Sequence, residues 1–292
     1  MKHETIGIET SATLVEIHLS VWSARRLDKE KSQEVISNAH AASRNAARVN
    51  KNLFAGRSEL ADIQAVASEA RLMFYKWTLP WSDNGQRLLP ARSFMDFTAE
   101  MSLIKGRFDT LVRDFVKIYP SLISAQAMAL GDMFNADDFP TAQKIEQKFS
   151  FETAFIPVPR AGHFMVDIGH EALNDLRETL ERDAAKRLDA AHEDLVGRLR
   201  ECLERLTQRL KIEVSDGVEK AVVFRDSMVS TTMDLVHMTR QLNIKEDPAV
   251  YSACAALETA FHGVSADVLR TDFAKRESVR TTAEALLSQF QF

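Results

Sequence analysis

The chain has 292 residues, is 45% apolar and 27% charged, and carries a net charge of −5, enough for one large domain or two ordinary ones. Its 10 glycines are about half the usual share, which excludes a turn-rich all-β fold, and no Gly-rich fingerprint of a dinucleotide or P-loop enzyme is present. Two cysteines, Cys202 and Cys254, exclude a multi-cysteine zinc site and a disulfide scaffold and suit a reducing cytoplasm.

No run approaches the ~18 apolar residues of a membrane span, and the first residues lack the layout of a signal peptide. Six of the seven prolines fall between Pro80 and Pro159. The middle is therefore punctuated, while the last third is free to form long helices.

In chain order, Val15, Ile17, Leu19 and Val21 alternate with Glu16, His18, Ser20 and Trp22, the period of a half-buried strand. An Ala-rich helix is predicted from Gln33 to Phe54, with Val35, Ala39, Ala42, Ala46, Val49 and Leu53 on one face and His40, Arg44, Arg48 and Lys51 on the other. A further helix is predicted over 58–76. The run WTLPWSDNGQRLLP breaks it, and Asp83-Asn84-Gly85 marks a tight turn, read as an ordered loop or hairpin over Trp77 and Trp81.

Phe94, Phe97, Met101, Ile104, Phe108, Leu111, Phe115 and Ile118 step by 3 and 4, a heptad seam that implies left-handed helix–helix packing, interrupted at Pro120. A shorter helix to Phe134 and a turn at 135–141 follow. FSFETAFIPVP reads as a second strand, and 163–168 as a third. From Glu171 to Ile212 one long helix is predicted. Its stripe includes Leu173, Leu176, Leu180, Ala184, Leu188, Leu195 and Leu206, with a period near 3.7 and an eleven-residue repeat. Three helices complete the chain over 216–242, 248–262 and 265–289, with Asp247 and Ser265 as caps.

Several groups could carry chemistry, and each has a plain structural counterpart. His163, Asp167 and His170 offer metal-ligand types but no motif, so surface or capping roles are the expectation. Asp132, Asp137 and Asp138 lack the spacing of a calcium loop and read as helix-ending caps. Cys202 and Cys254 sit on apolar stripes with no inferable base, which points to core packing. Met228, Met233 and Met238 fit either core or an adaptable surface. Asp83 and Arg87 either line a polar pocket or pair within a buried turn. The stretch 23–57 holds eight basic residues, including Arg25, Arg26, Arg44, Arg48 and Lys51, against three acidic ones. It could track phosphates, or be a solvated face; no interleaved aromatics mark a base-stacking platform.

The loops WTLPWSDNGQRLLP, the Tyr119-Pro120 break, LGDMFNADDFP and FSFETAFIPVPRAG, in that order before the long charged helix, resemble a family of uncharacterised bacteriophage and mobile-element proteins. Phe224-Arg225-Asp226-Ser227, the stretch 242–248 and residues 269–272 are similar to it as well. The resemblance spans about residue 71 to the last residue. His163 departs from the acidic residue the pattern has after Ala-Gly. The resemblance brings no established activity to any residue. By association it implies a partner of the AAA+ ATPase class, and an accessory role in phage DNA metabolism or assembly remodelling.

The expectation is a mostly α (α+β) protein with a small antiparallel sheet. A mixed region over 1–169 is expected to precede a long-helix, coiled-coil-like bundle over 170–292. Its function is expected to be that of a non-enzymatic interaction or scaffold protein in the host cytoplasm, without cofactor or metal. Leu173, Leu180, Leu188, Leu195 and Leu206 would form the seam of a homo-oligomer. The alternative is a nucleic-acid-binding accessory protein working through the basic segment.

Overall fold

A computed structural model describes residues 8–43, 45–159, 170–215 and 218–290. In chain order the elements are α1 (Ile8–Ser11), β1 (Ala12–Ser20), β2 (Arg25–Asp28), α2 (Lys29–Asn38), β3 (Val49–Asn52), α3 (Glu59–Trp77), β4 (Leu79–Pro80), β5 (Arg87–Pro90), α4 (Phe94–Leu130), α5 (Ala142–Glu146), β6 (Ser150–Ile156), α6 (His170–Arg209), β7 (Ile212–Ser215), β8 (Val218–Ala221), α7 (Ser227–Leu242), α8 (Pro248–Phe261), α9 (Ala266–Thr271) and α10 (Phe273–Gln289). The protein is mostly α, with a four-stranded sheet in the order β4-β5-β1-β6 and two-stranded ribbons β2-β3 and β7-β8. No helix among the described residues is long and apolar enough to cross a membrane.

Two compact units are interleaved along the chain. One gathers residues 1–16, 75–97 and 154–292; the other gathers 17–74 and 98–153. Early segments, 1–16 and 75–97, thus share a unit with the helices that follow residue 170.

In the first unit α6 is the spine. Leu195, Leu199, Leu206 and Leu210 are buried along it, and α7, α10 and β4 lie against it. Its apolar stripe at period 3.7 explains this: the same face returns every eleven residues, so a straight helix keeps it turned inward. Ala12, Leu14, Leu79, Trp81 and Leu88 join the same core. The β1–β5 pairing sets Ala12 opposite Pro90 and Val15 opposite Arg87. Asp247 caps α8 at the Ala249 amide, and Ser265 caps α9 at the Val268 amide, as the sequence suggests. The helix expected from residue 216 starts only at Ser227, because the chain first turns back through β7 and β8. The expected last helix is divided at Asp272, whose carboxylate caps α10 at the Lys275 amide.

The reading of 77–90 as a hairpin holds. Trp77 and Trp81 are buried, β4 pairs with β5, and Gly85 takes φ +91 in the turn. Arg87 does not pair with Asp83. It donates to the Thr78 hydroxyl at 2.7 Å and carbonyl at 3.0 Å, and lies over the Tyr75 ring.

In the second unit the Ala-rich helix ends at Asn38 instead of reaching Phe54. His40 adopts φ +50, and the chain returns as β3 against β2. The Ala/Asn/Ser-rich run 38–47 has too few large apolar side chains to hold a helix to a core, so a reversal wins. The heptad helix, by contrast, does not stop at Pro120; α4 runs on to Leu130. Pro120 removes one N–H, yet Tyr119 beside it is buried and donates to the Pro140 carbonyl at 2.9 Å. The buried seam therefore shifts from Ile118, which is exposed, to Tyr119. Its ring partners are also not those of a coiled coil: Phe108 meets Phe151 of β6, and Phe115 meets Phe54 and Phe149.

Candidate functional site

Within the first unit a cleft of about 620 Å³ opens between the C-terminal half of α6, the segment after β8 and the start of α7. Arg205 and Arg209 stand one turn apart on α6, on one face, and Arg225 comes from the facing segment. Leu206, Met228 and Leu235 supply apolar wall. None of the three arginines is ion-paired with a carboxylate whose side chain is described; the side chains of Glu213 and Glu219 lie outside those described. Elsewhere in the unit such pairs are common: Arg198 with Asp194 at 2.8 Å, Arg240 with Glu258 at 2.8 Å, and Arg280 with Glu277 at 2.5 Å.

Cys202 also lines this cleft and is buried. Burial pushes its thiol up, against the opposing pull of Arg205. A thiol held protonated is a packing group and a poor nucleophile. Cys254 is likewise buried, its thiol pushed up to about 11 by desolvation, 3.7 Å from the Val236 carbonyl. Met238 belongs to the core, Met233 is packed against it, and Met228 is the methionine that reaches the cleft.

Arg276 lies behind the cleft, and sequence reasoning missed it. It is fully buried and donates to five carbonyls: Leu210 at 2.9 Å, Leu269 at 3.2 Å, Arg209 at 2.8 Å, Lys211 at 3.2 Å and Val222 at 2.8 Å. A guanidinium has five N–H donors, and here they end α6, end α9 and hold the strand exit at Val222. Desolvation lowers its pKa from the ordinary value. Phe224 stacks beneath both Arg276 and Arg270. The available signal was positional. Arg276, Val279, Ala283, Leu286 and Phe290 step by 3 and 4, so the arginine occupies an apolar slot of α10.

The sequence-predicted basic face is placed differently from expectation. Arg25 and Arg26 lie on β2, Lys51 on β3, and Arg48 just before β3; Arg44 lies outside the described residues. Arg26 and Lys51 face each other across the ribbon, and both pair with Asp138. Lys51 is nearly buried and also donates to the Met133 carbonyl at 3.0 Å. Helical spacing therefore does not align Arg48 and Lys51, whereas Arg25 and Arg48 are exposed. Asp138, read as a cap, acts as the acidic partner of this pair, while Asn135 caps the Asp137 amide.

Of the predicted α6 seam, Leu195 and Leu206 are buried, Leu180 and Leu188 are half-buried, and the Leu173 side chain lies outside the described residues. His163 and Asp167 lie outside them too, as does the side chain of His170. No group of three His, Cys, Asp or Glu among the described residues is arranged to hold a metal ion. Compared with protein-family models, curated proteins and solved structures, the chain finds no match.

Proposed function

We propose that the chain is a non-enzymatic interaction protein that assembles with itself through the first half of α6. The observation that carries this reading is the change in cover along one helix. The α6 stripe is buried at Ala191, Leu195, Leu199 and Leu206, half-buried against the chain's own core at Ala184 and Leu188, and half-buried past it at Leu176 and Leu180. The chain's own helices cover the second half; an apolar stripe continuing past that cover is a surface for another helix. The phage setting, action in the host cytoplasm and an AAA+ ATPase partner enter this proposal through the family resemblance alone.

Light scattering over a concentration series tests it. The wild type should exceed the 32.9 kDa of one chain, and Leu176→Glu with Leu180→Glu should return it to that mass with an unchanged far-UV spectrum. A wild type of one chain at every concentration, or a double variant that still assembles, overturns it.

A second reading is nucleic-acid binding, favoured by the exposed Arg25 and Arg48 at one ribbon of the second unit. It predicts that Arg25→Gln with Arg48→Gln flattens the log–log salt slope of DNA binding by about 2. Binding that is absent in about 50 mM salt, or equal in the variant, removes it.

A further inference from the structure

We propose that the α6–α7 cleft is a binding site for a soluble organic polyphosphate of nucleotide size, independent of self-association. Its volume of about 620 Å³ falls within the 300–1,000 Å³ usual for small-ligand pockets, and its lining combines charged and apolar residues. Arg205 and Arg209 stand on α6 and Arg225 on the facing segment, none ion-paired with a carboxylate whose side chain is described. Three guanidiniums exceed the need of one carboxylate; their planar forks match phosphate oxygens, two at a time.

The first turn of α7 adds to this field. Ser227 and Met228 line the cleft, and Asp226 ahead of them makes no side-chain cap bond. Its carboxylate is bound by Arg270 instead, which offsets that negative charge and leaves the first turn of a 16-residue helix without a side-chain acceptor, the Met228 amide being held by the Arg225 carbonyl. Leu206, Met228 and Leu235 supply apolar wall within the same lining. A bare phosphate would leave that wall wet. A phosphate chain carrying a flat, weakly polar body uses both.

Calorimetric titration with ATP, inorganic tripolyphosphate and adenosine tests the proposal. ATP should saturate one site per chain and bind at least about fivefold more tightly than either fragment, since each fragment satisfies only one of the two chemistries of the lining. Arg205→Gln with Arg209→Gln should weaken ATP at least about tenfold, the loss of charge-assisted hydrogen bonds. Both arginines are exposed, so the variant's melting curve should match the wild type. Leu235→Trp, filling the apolar wall, should weaken ATP and leave tripolyphosphate unchanged. Arg25→Gln with Arg48→Gln, in the other unit, should leave ATP binding unchanged. No saturation by ATP at millimolar concentration overturns the proposal. So does equal affinity for ATP and tripolyphosphate, and so does equal weakening by the Arg25/Arg48 variant.

Discussion

Around α6 the packed side chains are mostly aliphatic, Leu195, Leu199, Leu206, Val250 and Leu257 among them, with Trp81, Phe224, Phe261 and Phe290 interspersed and one buried guanidinium, Arg276. Beside the later turns of α4 they are rings: Phe54 meets Trp22, Phe115, Tyr119 and Phe139, and Phe115 meets Phe149. The first core is made by long helices whose stripes run side by side. Its polar problem is the unpaired carbonyls where those helices stop; Arg276 binds those at the ends of α6 and α9, Arg92 that of Asn243 and Arg200 that of Phe290. The second core is made where short elements and loops converge. Large flat rings fill the irregular space between them and bring edge-to-face contacts worth about 0.5–1.5 kcal/mol per pair beyond burial. Regular elements need a plug at their ends; irregular ones need bulk in the middle.

The contrast can be broken first at the plug. Arg276→Met keeps most of the volume and removes all five hydrogen bonds, leaving buried carbonyls unpaired at about 1–3 kcal/mol each where no water reaches them. The expected loss is about 4 kcal/mol or more, read as a denaturation midpoint shift. If a methionine packs there with little cost, the guanidinium is not what terminates α6. Phe54→Ala strikes the other core. It should cost about 3–4 kcal/mol by cavity formation and reduce near-UV ellipticity, because four rings lose a common neighbour. A loss under about 1 kcal/mol would mean the rings repack and the cluster is not a fixed core.

A turn gives a smaller, purely conformational effect. Gly85 has φ +91 and nothing within 4 Å of where a Cβ would stand. Gly85→Val should therefore cost about 1–2 kcal/mol from backbone strain alone, with no change in the spectra of Trp77 and Trp81.

The smallest effect sharpens the aromatic side. Burial pushes the Tyr119 phenol up to about 12. Below pH 10 both folded and unfolded chains hold that proton. Between about pH 10 and 12 the unfolded chain gives it up while the folded chain keeps it, so stability falls as pH rises. Tyr119→Phe removes that share of the fall. It costs about 1 kcal/mol at neutral pH, the worth of the bond to Pro140. Parallel stability–pH curves for the two proteins between pH 9 and 12 would refute the assignment.

The same contrast explains what could be read from sequence. The α6 stripe, the buried Trp hairpin, the caps Asp247 and Ser265 and the small sheet were legible because each is local, carried by a period or a few adjacent residues. The aromatic core was not, since Trp22, Phe54, Tyr119 and Phe149 are gathered from distant segments by topology. The basic helix over 33–54 failed because alanine periodicity counts small residues as core when they bury little area. The cleft was illegible for a related reason. Arg205 and Arg209 look like the solvated face of a long helix until Arg225 and the start of α7 are placed opposite them.

The interleaved units have a consequence during synthesis. All the residues of the second unit have been made by position 153, whereas α6 of the first unit is complete only once Arg209 has been made. Leu14, Leu79, Trp81 and Leu88, emerging early, must wait for Leu195 and its neighbours to cover them. At about 5–20 residues per second that wait lasts on the order of 10 s. Throughout it a nascent chain displays an uncovered apolar hairpin, while the residues of the second unit are free to fold. Ribosome-bound chains halted near residue 160 should therefore recruit a chaperone that chains halted near residue 70 do not.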